Sequence, residues 1–308
     1  MDNAWAGAVF GVALLTADWR YGAYGLGGAA LGTAAAHLLG VTRDRLRAGL
    51  EGFNSCLTAL CCAVLLNADR PGTALFAAAA CLVVTVVTAA AVRLLRVWDL
   101  PTLTMPYCLL AGVVTLAAPT LRRIWPHGAR PATLPRAASG LTVLRPDDIG
   151  EAFFRNLSQI FFLDQWYAGV LLLAGLFLAS RVAGWVACCG SATGLLTAWA
   201  LGAPAPRIAD GTMGYNAVLV ALALCGGFMA ATRVLYAMLG AATATALTPA
   251  LAGLLAPSGG LPFTWPFVLT TLGFLLAAPS FPRLTGQGNG RGAGRPADPL
   301  PRDPAAAR

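Results

Sequence analysis

The sequence predicts an all-α polytopic membrane protein with about ten transmembrane helices in two inverted homologous halves. Apolar residues make up 57% of the 308 positions and charged residues only 11%. The apolar runs are long enough to cross a bilayer as helices, and one string rich in threonine and proline occurs twice. Together these observations favour a duplicated membrane domain over a soluble one.

The apolar runs predict helices and not the strands of a barrel. In hydrocarbon, only α-helices and closed β-barrels satisfy their own backbone hydrogen bonds, and these runs lack the alternation of a barrel strand. The first run has no basic segment before it, so we interpret it as a retained span and not a signal peptide. We expect spans near residues 4–17, 22–40, 53–66, 73–92, 104–119, 165–179, 183–202, 214–230, 234–255 and 263–279.

The two halves are related by a nearly fixed offset along the chain. The hexapeptide G-L-E-G-F-N at 49–54 returns as G-T-M-G-Y-N at 211–216, which is 162 positions later. Further on, W-D-L-P-T-L-T-M-P-Y at 98–107 returns in compressed form as L-P-F-T-W-P-F at 261–267, with the threonines 160 positions apart. A register of this kind indicates duplication and not merely shared composition.

The arginines predict the orientation in the membrane, since lysine is absent. One side of the expected topology carries arginines at 43, 45, 47, 93, 96, 181 and 233, and the other carries Arg20, Arg70 and Arg207. The positive-inside rule makes the first side cytoplasmic and places both termini inside. Five spans per half is an odd number, so the second half is inverted and a site is expected near the midplane. The net charge of +8 therefore indicates the lipid bilayer as a partner, and no nucleic acid.

Composition divides the chain into four regions. Residues 1–119 form a first membrane repeat, 120–152 an extracellular connection, 153–283 a second repeat, and 284–308 a disordered cytoplasmic tail. The second repeat opens with residues 153–163, which have no counterpart before Asp2. This piece is too short to cross a bilayer and carries Gln159 among aromatic residues, so we predict a re-entrant half-helix; an interfacial helix is the alternative.

The sequence predicts no metal, cofactor or catalytic site. The cysteines, at 56, 61, 62, 81, 108, 188, 189 and 225, lie in apolar runs without metal-ligand spacing, so we interpret them as small buried hydrophobic residues. His37 and His127 are isolated. No nucleophile, base and orienting group occur together, so we do not expect an enzyme.

The duplicated threonine and proline motif offers oxygen atoms inside the membrane. Thr104 and Thr264 each provide a hydroxyl. The proline two positions later has no N–H, so within a helix the carbonyls of Thr102 and Pro262 would be released as acceptors. A helix start, with threonine as N-cap and proline in the first turn, would give the same spacing. Because the motif occurs in both halves, we expect it to line a path for a polar solute.

Four motifs together resemble the urea transporter family over roughly residues 2–282. They are W-D-L-P-x-x-T-x-P-[FY], L-P-x-T-W-P-F, the paired G-[FY]-N tripeptides, and S-Q-x-F-F before an aromatic and glycine-rich span. The resemblance implies a homotrimer in the cell membrane, each ten-helix protomer with its own pore that conducts urea passively. It also implies two re-entrant half-helices, a pair of aromatic slots and rows of oxygen atoms along the pore.

The resemblance assigns pore residues of two kinds. The oxygen row includes Thr104 and Thr264 at its centre and Gln159 in its outer part. The expected apolar walls are Phe53, Leu57, Ile160, Phe162, Tyr215 and Leu219. The residues alone leave core packing open for these walls, and they leave a backbone partner open for Gln159. Asn54 and Asn216 are expected to cap and fix helix starts.

The chemistry of urea suits such a pore. Urea is small, planar and neutral, so removing its water costs about 1–3 kcal/mol for each hydrogen-bonding group left unmet, unless protein oxygens replace that water. No carboxylate or lysine is expected at mid-depth, because Asp99, Asp164 and Glu51 lie near span ends. Ion coupling normally needs such a group, so a passive pore fits better than an active transporter.

Two alternatives stay open at this point. One is a channel for another small neutral solute, such as an amide or ammonia. The other is a non-conducting, truncated membrane protein, since the first half lacks the half-helix that would supply the partner of Gln159 and one aromatic residue. We therefore expect either that translation starts upstream of Met1 or that selectivity or conduction is altered. A form extended by that segment should be more stable and conduct better.

Overall fold

The regular structure of the chain is helical throughout residues 3–117, 145–227 and 234–281, the part that this computed structural model describes. The helices are α1 Ala4–Ala17, α2 Trp19–Leu38, α3 Arg43–Ala48, α4 Leu50–Leu66, α5 Pro71–Leu95, α6 Met105–Ala117, α7 Pro146–Ser158, α8 Trp166–Ala179, α9 Arg181–Ala200, α10 Ala205–Ala209, α11 Tyr215–Ala221, α12 Val234–Leu255 and α13 Trp265–Ala277. A π-helical segment, Leu222–Gly227, continues α11. The expected tail and most of the expected connection fall outside the described residues.

Several of these helices have the length and composition of membrane spans. Within the described ranges, Pro71–Trp98, Arg181–Ala200 and Val234–Ser258 are each long and apolar enough to cross a bilayer. A fourth crossing is possible through Asp148–Phe161 and Trp166–Ala179, a pair bent by 77°. Shorter apolar helices include α1, α4, α6 and α13. The predicted all-helical membrane architecture is confirmed, and the number of crossings stays a prediction.

The sequence repeat is also a repeat of helix boundaries. Both ends of α1 return 162 positions later as the ends of α8, and those of α2 return as the ends of α9. Both ends of α6 return 160 positions later in α13. Left-handed backbone follows the same offsets: φ is 75° at Gly49 and 78° at Gly211, and 52° at Leu103 and 40° at Phe263. The two halves therefore share these helix boundaries and turns.

Glycines bring equivalent helix pairs into close contact in both halves. A Cβ added to Gly28 of α2 would lie 2.6 Å from the Cβ of Ala59 in α4. At the equivalent place, a Cβ on Gly190 of α9 would lie 2.7 Å from the Cβ of Ala221 in α11. Small residues allow helix backbones to approach in this way inside a membrane, where no hydrophobic effect drives helices together.

The half-helix predicted at 153–163 belongs to a longer element that begins at Pro146. Proline occupies the first turn of α7, and the carboxylate of Asp148 accepts a hydrogen bond from the backbone N–H of Arg145 at 3.3 Å. The helix ends in the 3₁₀ turn Gln159–Phe161, followed by Phe162 in left-handed backbone with φ 61°. The chain then turns sharply into α8.

Three glycines of the second half hold α7 in place. A Cβ on Gly169 would collide with the carbonyl oxygen of Phe154, and one on Gly214 with the side chain of Asn156. A Cβ on Gly211 would lie 2.5 Å from the carbonyl carbon of Arg155. The half-helix therefore packs directly against the backbone of these three glycines. Larger residues in their place would prevent this close approach.

Candidate functional site

The two motif threonines stand immediately before α6 and α13. In each half a residue in left-handed backbone, Leu103 or Phe263, turns the chain just before the threonine. The threonine carbonyl then accepts the first bond of its helix, from the N–H of Cys108 in one half and of Val268 in the other, both at 3.0 Å. Two equivalent helix starts therefore aim a hydroxyl each toward the interface between the halves.

The hydroxyls of these threonines meet. Thr104 Oγ1 lies 2.6 Å from Thr264 Oγ1, and the two residues are 2% and 4% exposed. Although Thr264 is the N-cap residue of α13, its side chain makes no capping hydrogen bond. The motif therefore lies at a helix start, as the alternative interpretation expected. The threonine hydroxyls do not cap these helices and instead contact each other between the two halves.

The expected release of the preceding carbonyls does not occur. The carbonyl of Thr102 accepts a hydrogen bond from Met105 N–H at 3.1 Å, and that of Pro262 accepts one from Trp265 N–H at 3.0 Å. Because the threonines precede their helices, the prolines fall in the first turn, where a missing N–H leaves no carbonyl unpaired. The expectation of free carbonyls was wrong, since it placed both prolines inside a helix.

Cys108 joins the threonine contact, which sequence reasoning missed. Its Sγ lies 3.0 Å from Thr264 Oγ1, and the residue is fully buried. The equivalent residue of the second half is Val268, which has no hydrogen-bonding group. The central polar contact is consequently asymmetric, with two groups from the first half and one from the second. The cysteine had been grouped with the apolar residues, although its place one turn after Thr104 could have indicated a shared face.

Asn54 fixes the first threonine loop from a neighbouring helix. Its side-chain amide donates to the carbonyls of Leu50 at 3.0 Å and Leu103 at 3.2 Å, and its Oδ1 accepts from Tyr107 N–H at 3.2 Å. The last two groups flank Thr104 on either side. The asparagine therefore fixes a helix start, as expected, but the start is that of α6 and Asn54 reaches it from inside α4.

The second half fixes its loop with a different residue. Asn216 donates to Thr248 Oγ1 at 3.3 Å, within its own half, and likewise does not cap its helix start. The hydroxyl of Tyr215 instead donates a short hydrogen bond to the carbonyl of Phe263, the equivalent of Leu103. Equivalent loops are thus held by non-equivalent side chains.

A cavity of about 450 Å³ adjoins the threonine contact. Five of the predicted pore residues line it: Gln159, Ile160, Phe162, Tyr215 and Thr264. Its other lining residues are Tyr107, Arg207, Asp210, Thr212, Met213, Thr248, Ala252, Ala256, Gly259, Gly260, Leu261, Pro262 and Phe263. The structure therefore brings the predicted residues of α7, α11 and the second threonine loop around one space.

The remaining predicted residues lie away from this cavity. Thr104 touches it only through Thr264. Phe53 packs edge-to-face on Phe161, with ring centroids 6.0 Å apart, and Leu57 and Leu219 are buried in the core. Their proposed role as walls stays a prediction.

Three aromatic rings form the inner part of the cavity wall. Tyr107, Phe162 and Phe263 pack edge-to-face around one another, with centroid separations of 5.7 to 6.4 Å. Edge-to-face packing is the favoured geometry for aromatic pairs and makes the wall rigid. Of these rings, sequence reasoning assigned only Phe162. The other two belong to the duplicated string, so the repeat itself was the signal that could have found them.

Polar groups occupy the other part of the cavity. Gln159 donates through Nε2 to Asp164 at 2.9 Å, which leaves its Oε1 without a hydrogen bond among the described residues. The carboxylate of Asp210 accepts from the backbone N–H and hydroxyl of Thr212, at 2.9 and 2.6 Å. A small polar molecule in this cavity would meet oxygen acceptors on one side and aromatic faces on the other.

The distribution of side chains defines the class of protein. Large apolar residues face outward, among them Trp5, Trp185 and Leu235 at 77%, 66% and 87% exposed, whereas threonine hydroxyls are buried between helices. Exposing so large an apolar surface to water is unfavourable, whereas the hydrocarbon of a bilayer accommodates it. The chain is a multi-pass membrane protein with a polar contact and a cavity in its interior.

Comparison with known proteins identifies the family. The sequence profile described as Urea transporter matches residues 1–279. Similar proteins include Urea transporter 1 of Ovis aries, of Capra hircus and of Mus musculus, each 28% identical over 294 residues, covering 92% of this chain and 75% of the relative. The chain belongs to the urea transporter family, and it is accordingly a transporter and not an enzyme.

Proposed function

We propose that the chain conducts urea passively through a pore between its two halves. The observation that carries this proposal is the meeting of Thr104 and Thr264 at 2.6 Å, next to a cavity of about 450 Å³. Both hydroxyls come from the duplicated motif, and membership of the urea transporter family indicates that the solute is urea. Thr104, Thr264 and Gln159 provide the oxygen row, with Phe53, Leu57, Ile160, Phe162, Tyr215 and Leu219 as apolar walls.

The architecture proposed for this pore keeps the predicted repeats. Residues 1–119 and 153–283 form two inverted repeats of five spans each, joined by an extracellular connection at 120–152. The repeated boundaries of α1 and α8, and of α6 and α13, support this division. We place the protein in the cell membrane as a homotrimer, with both termini and the tail at 284–308 on the cytoplasmic side. In this orientation the cavity opens to the outside, because Arg207 on its wall lies in an outer loop.

The proposed path has a wide outer part and a closed centre. A planar solute in the cavity lies against the rings of Phe162 and Phe263, while its N–H groups reach oxygens such as Oε1 of Gln159. At the centre no solute fits between hydroxyls 2.6 Å apart, so passage requires Thr104 and Thr264 to separate. Each hydroxyl then accepts a urea N–H in place of the other hydroxyl, which limits the cost of opening.

Urea flux in proteoliposomes tests this function. Vesicles containing the purified protein should equilibrate urea faster than empty vesicles in a stopped-flow light-scattering assay, at equal size and lipid composition. The Thr104→Val/Thr264→Val double variant, incorporated in equal amount, is the matched control and should approach the rate of empty vesicles. Wild-type vesicles that equilibrate urea no faster than empty ones would contradict the proposal.

A further inference from the structure

Tyr107 carries a buried hydroxyl that has no hydrogen-bonding partner within the described residues. The residue is 0% exposed, and its ring forms part of the cavity wall. Its hydroxyl makes no bond to any group in the described ranges. A buried hydroxyl left unpaired is costly, so native proteins nearly always satisfy such groups. This exception therefore points to a partner that occupies the cavity.

Other tyrosine hydroxyls in the structure are satisfied. Tyr215, also on the cavity wall, donates to the carbonyl of Phe263. Tyr24 donates to Ala68 at 3.1 Å, and Tyr236 donates to Phe274 at 2.8 Å. Several threonines and a serine also have unpaired buried hydroxyls in the described part of the chain, but none of those residues lines the cavity. Tyr107 alone combines the two properties there.

The placement of Tyr107 is firmly determined. Asn54 accepts a hydrogen bond from its backbone N–H, and Pro106 precedes it in the first turn of α6. Its ring is packed edge-to-face on two phenylalanines, at 6.3 and 5.7 Å. A side chain held on this many sides does not turn away to find another partner, so a solute reaches the hydroxyl when the closed centre opens for passage.

We propose that the Tyr107 hydroxyl donates a hydrogen bond to the carbonyl oxygen of the solute, and this inference rests on the proposed function. The oxygen row can accept hydrogen bonds from the N–H groups of urea, whereas the urea carbonyl needs a donor. The threonine hydroxyls are engaged with each other at 2.6 Å, and Tyr215 is engaged with backbone. Tyr107 supplies a free O–H donor on the wall of the same cavity that Thr264 lines.

The second half of the chain offers the matched variant. The residue equivalent to Tyr107 is Phe267, which is also buried but has no hydroxyl. The variant Tyr107→Phe therefore copies a side chain that the fold already accepts in the equivalent environment. Because it removes an unpaired polar atom and no described hydrogen bond, the melting temperature should stay equal or rise.

The test measures urea and thiourea flux in proteoliposomes, together with thermal unfolding in detergent. Tyr107→Phe should lower urea flux by roughly three- to tenfold, the loss expected for one hydrogen bond. Thiourea flux should fall less, because sulfur is a weaker acceptor than a carbonyl oxygen. Tyr236→Phe is the control: it removes a hydroxyl that is bonded to backbone away from the cavity, so it should lower the melting temperature and leave urea flux unchanged.

The outcomes separate this proposal from the proposed function. Unchanged or faster urea flux through Tyr107→Phe, with active wild-type protein, would overturn the role of the hydroxyl alone. A fall in flux accompanied by a lower melting temperature would also overturn it, since the hydroxyl would then be structural. Equal losses for urea and thiourea would contradict donation to the carbonyl. Wild-type protein that carries no urea would overturn the proposed function and this inference together.

Discussion

Thr264 is the centre of the polar contact at the scale of single residues. Its hydroxyl lies 2.6 Å from Thr104 Oγ1 and 3.0 Å from Cys108 Sγ, so it contacts both polar groups that the first half contributes. Removal of Thr264 Oγ1 would therefore take a hydrogen-bonding partner from both of these buried groups. Removal of Thr104 Oγ1 would leave Thr264 with the thiol. The two threonines are equivalent in sequence but not in their contacts.

We expect Thr104→Val and Thr264→Val each to slow urea flux several-fold. Valine keeps the shape of threonine and removes an oxygen that replaces the water of the solute, at about 0.5–1.5 kcal/mol. Thr264→Val should also lower the free energy of unfolding by about 1–3 kcal/mol, because it takes a hydrogen-bonding partner from two buried groups. Stopped-flow flux and thermal unfolding measure the two effects.

Thr271→Val provides the control for these variants. Thr271 lies on the same helix as Thr264, is 0% exposed, and its hydroxyl has no partner in the described ranges. Its removal should change neither flux nor stability appreciably. Equal flux through all three variants and wild type would show that the central hydroxyls do not contact the solute.

The two asparagines of the G-[FY]-N tripeptides should differ sharply in their effect on stability. Asn54→Ala removes the partners of Leu103 O and Tyr107 N–H, which flank Thr104, and should lower the free energy of unfolding by about 2–4 kcal/mol. Asn216→Ala removes a longer bond, at 3.3 Å, to a side chain and leaves the backbone of its threonine loop bonded to Tyr215, so it should cost about 1 kcal/mol. Thermal unfolding of the two variants compares them directly, and equal losses would contradict this account of the threonine loop.

Sequence reasoning found half of the site because the repeat drew attention to it. Thr104 and Thr264 could be selected, since duplication of a polar residue in an apolar setting is unusual. Tyr107 and Phe263 stand in the same duplicated string and could have been found through it, although an aromatic residue in an apolar segment is most often core or lipid-facing. Their role depends on how loops from opposite halves pack, which no local pattern encodes. The same applies to Asn54, whose partners lie 49 and 53 positions away.

At the scale of secondary-structure elements, the half-helix α7 shows why a helix start and a helix position can be hard to predict from sequence. Its start at Pro146 was missed because Pro, Asp and Asp look like the proline-rich connection before them, although proline is common in a first helical turn. Its position could not be predicted at all, since it depends on backbone contacts to Gly169, Gly211 and Gly214. The helix boundaries shared by the two halves were easier to predict, because the same sequence signal occurs once in each half and marks the same helix end.

The equivalent glycines Gly7 and Gly169 should respond in opposite ways to the same substitution. A Cβ on Gly169 collides with the carbonyl of Phe154, whereas one on Gly7 meets no atom within 4 Å in the described part of the chain. Gly169→Ala should therefore destabilise the fold by about 1–3 kcal/mol through overpacking against rigid backbone. Gly7→Ala should be neutral or stabilising by up to about 1 kcal/mol, because alanine favours helix.

Thermal unfolding and urea flux of both glycine variants measure this difference. Gly169→Ala should also lower flux, since α7 carries Gln159, Ile160 and Phe162 to the cavity. If both variants unfold like wild type, then α7 is not held by this backbone contact.

At the scale of the whole molecule, the buried charges decide whether transport is coupled to an ion. Glu51 is the one carboxylate buried in the described ranges, at 1% exposed. It lies in the first turn of α4, at the predicted inner end of a span, and is paired with Arg45. A carboxylate already neutralised by a guanidinium at a helix end is not placed to carry a cation across the bilayer.

Urea uptake should therefore be independent of proton and sodium gradients. Proteoliposomes loaded at different internal pH, or with sodium on one side only, should fill to the external urea concentration at one common rate and go no further. Accumulation above the external concentration, driven by either gradient, would contradict passive conduction.

The contact between Thr104 and Thr264 also bears on whether protons could leak through the proposed pore while no solute passes. Protons cross proteins along unbroken files of hydrogen-bonded water, and a file needs polar groups that are free to hold each molecule. Two hydroxyls 2.6 Å apart satisfy each other and leave no room for water between them. The resting centre is therefore dry and electrically insulating. In the proposed pore, a centre of this kind would let urea pass without keeping a continuous path open for protons.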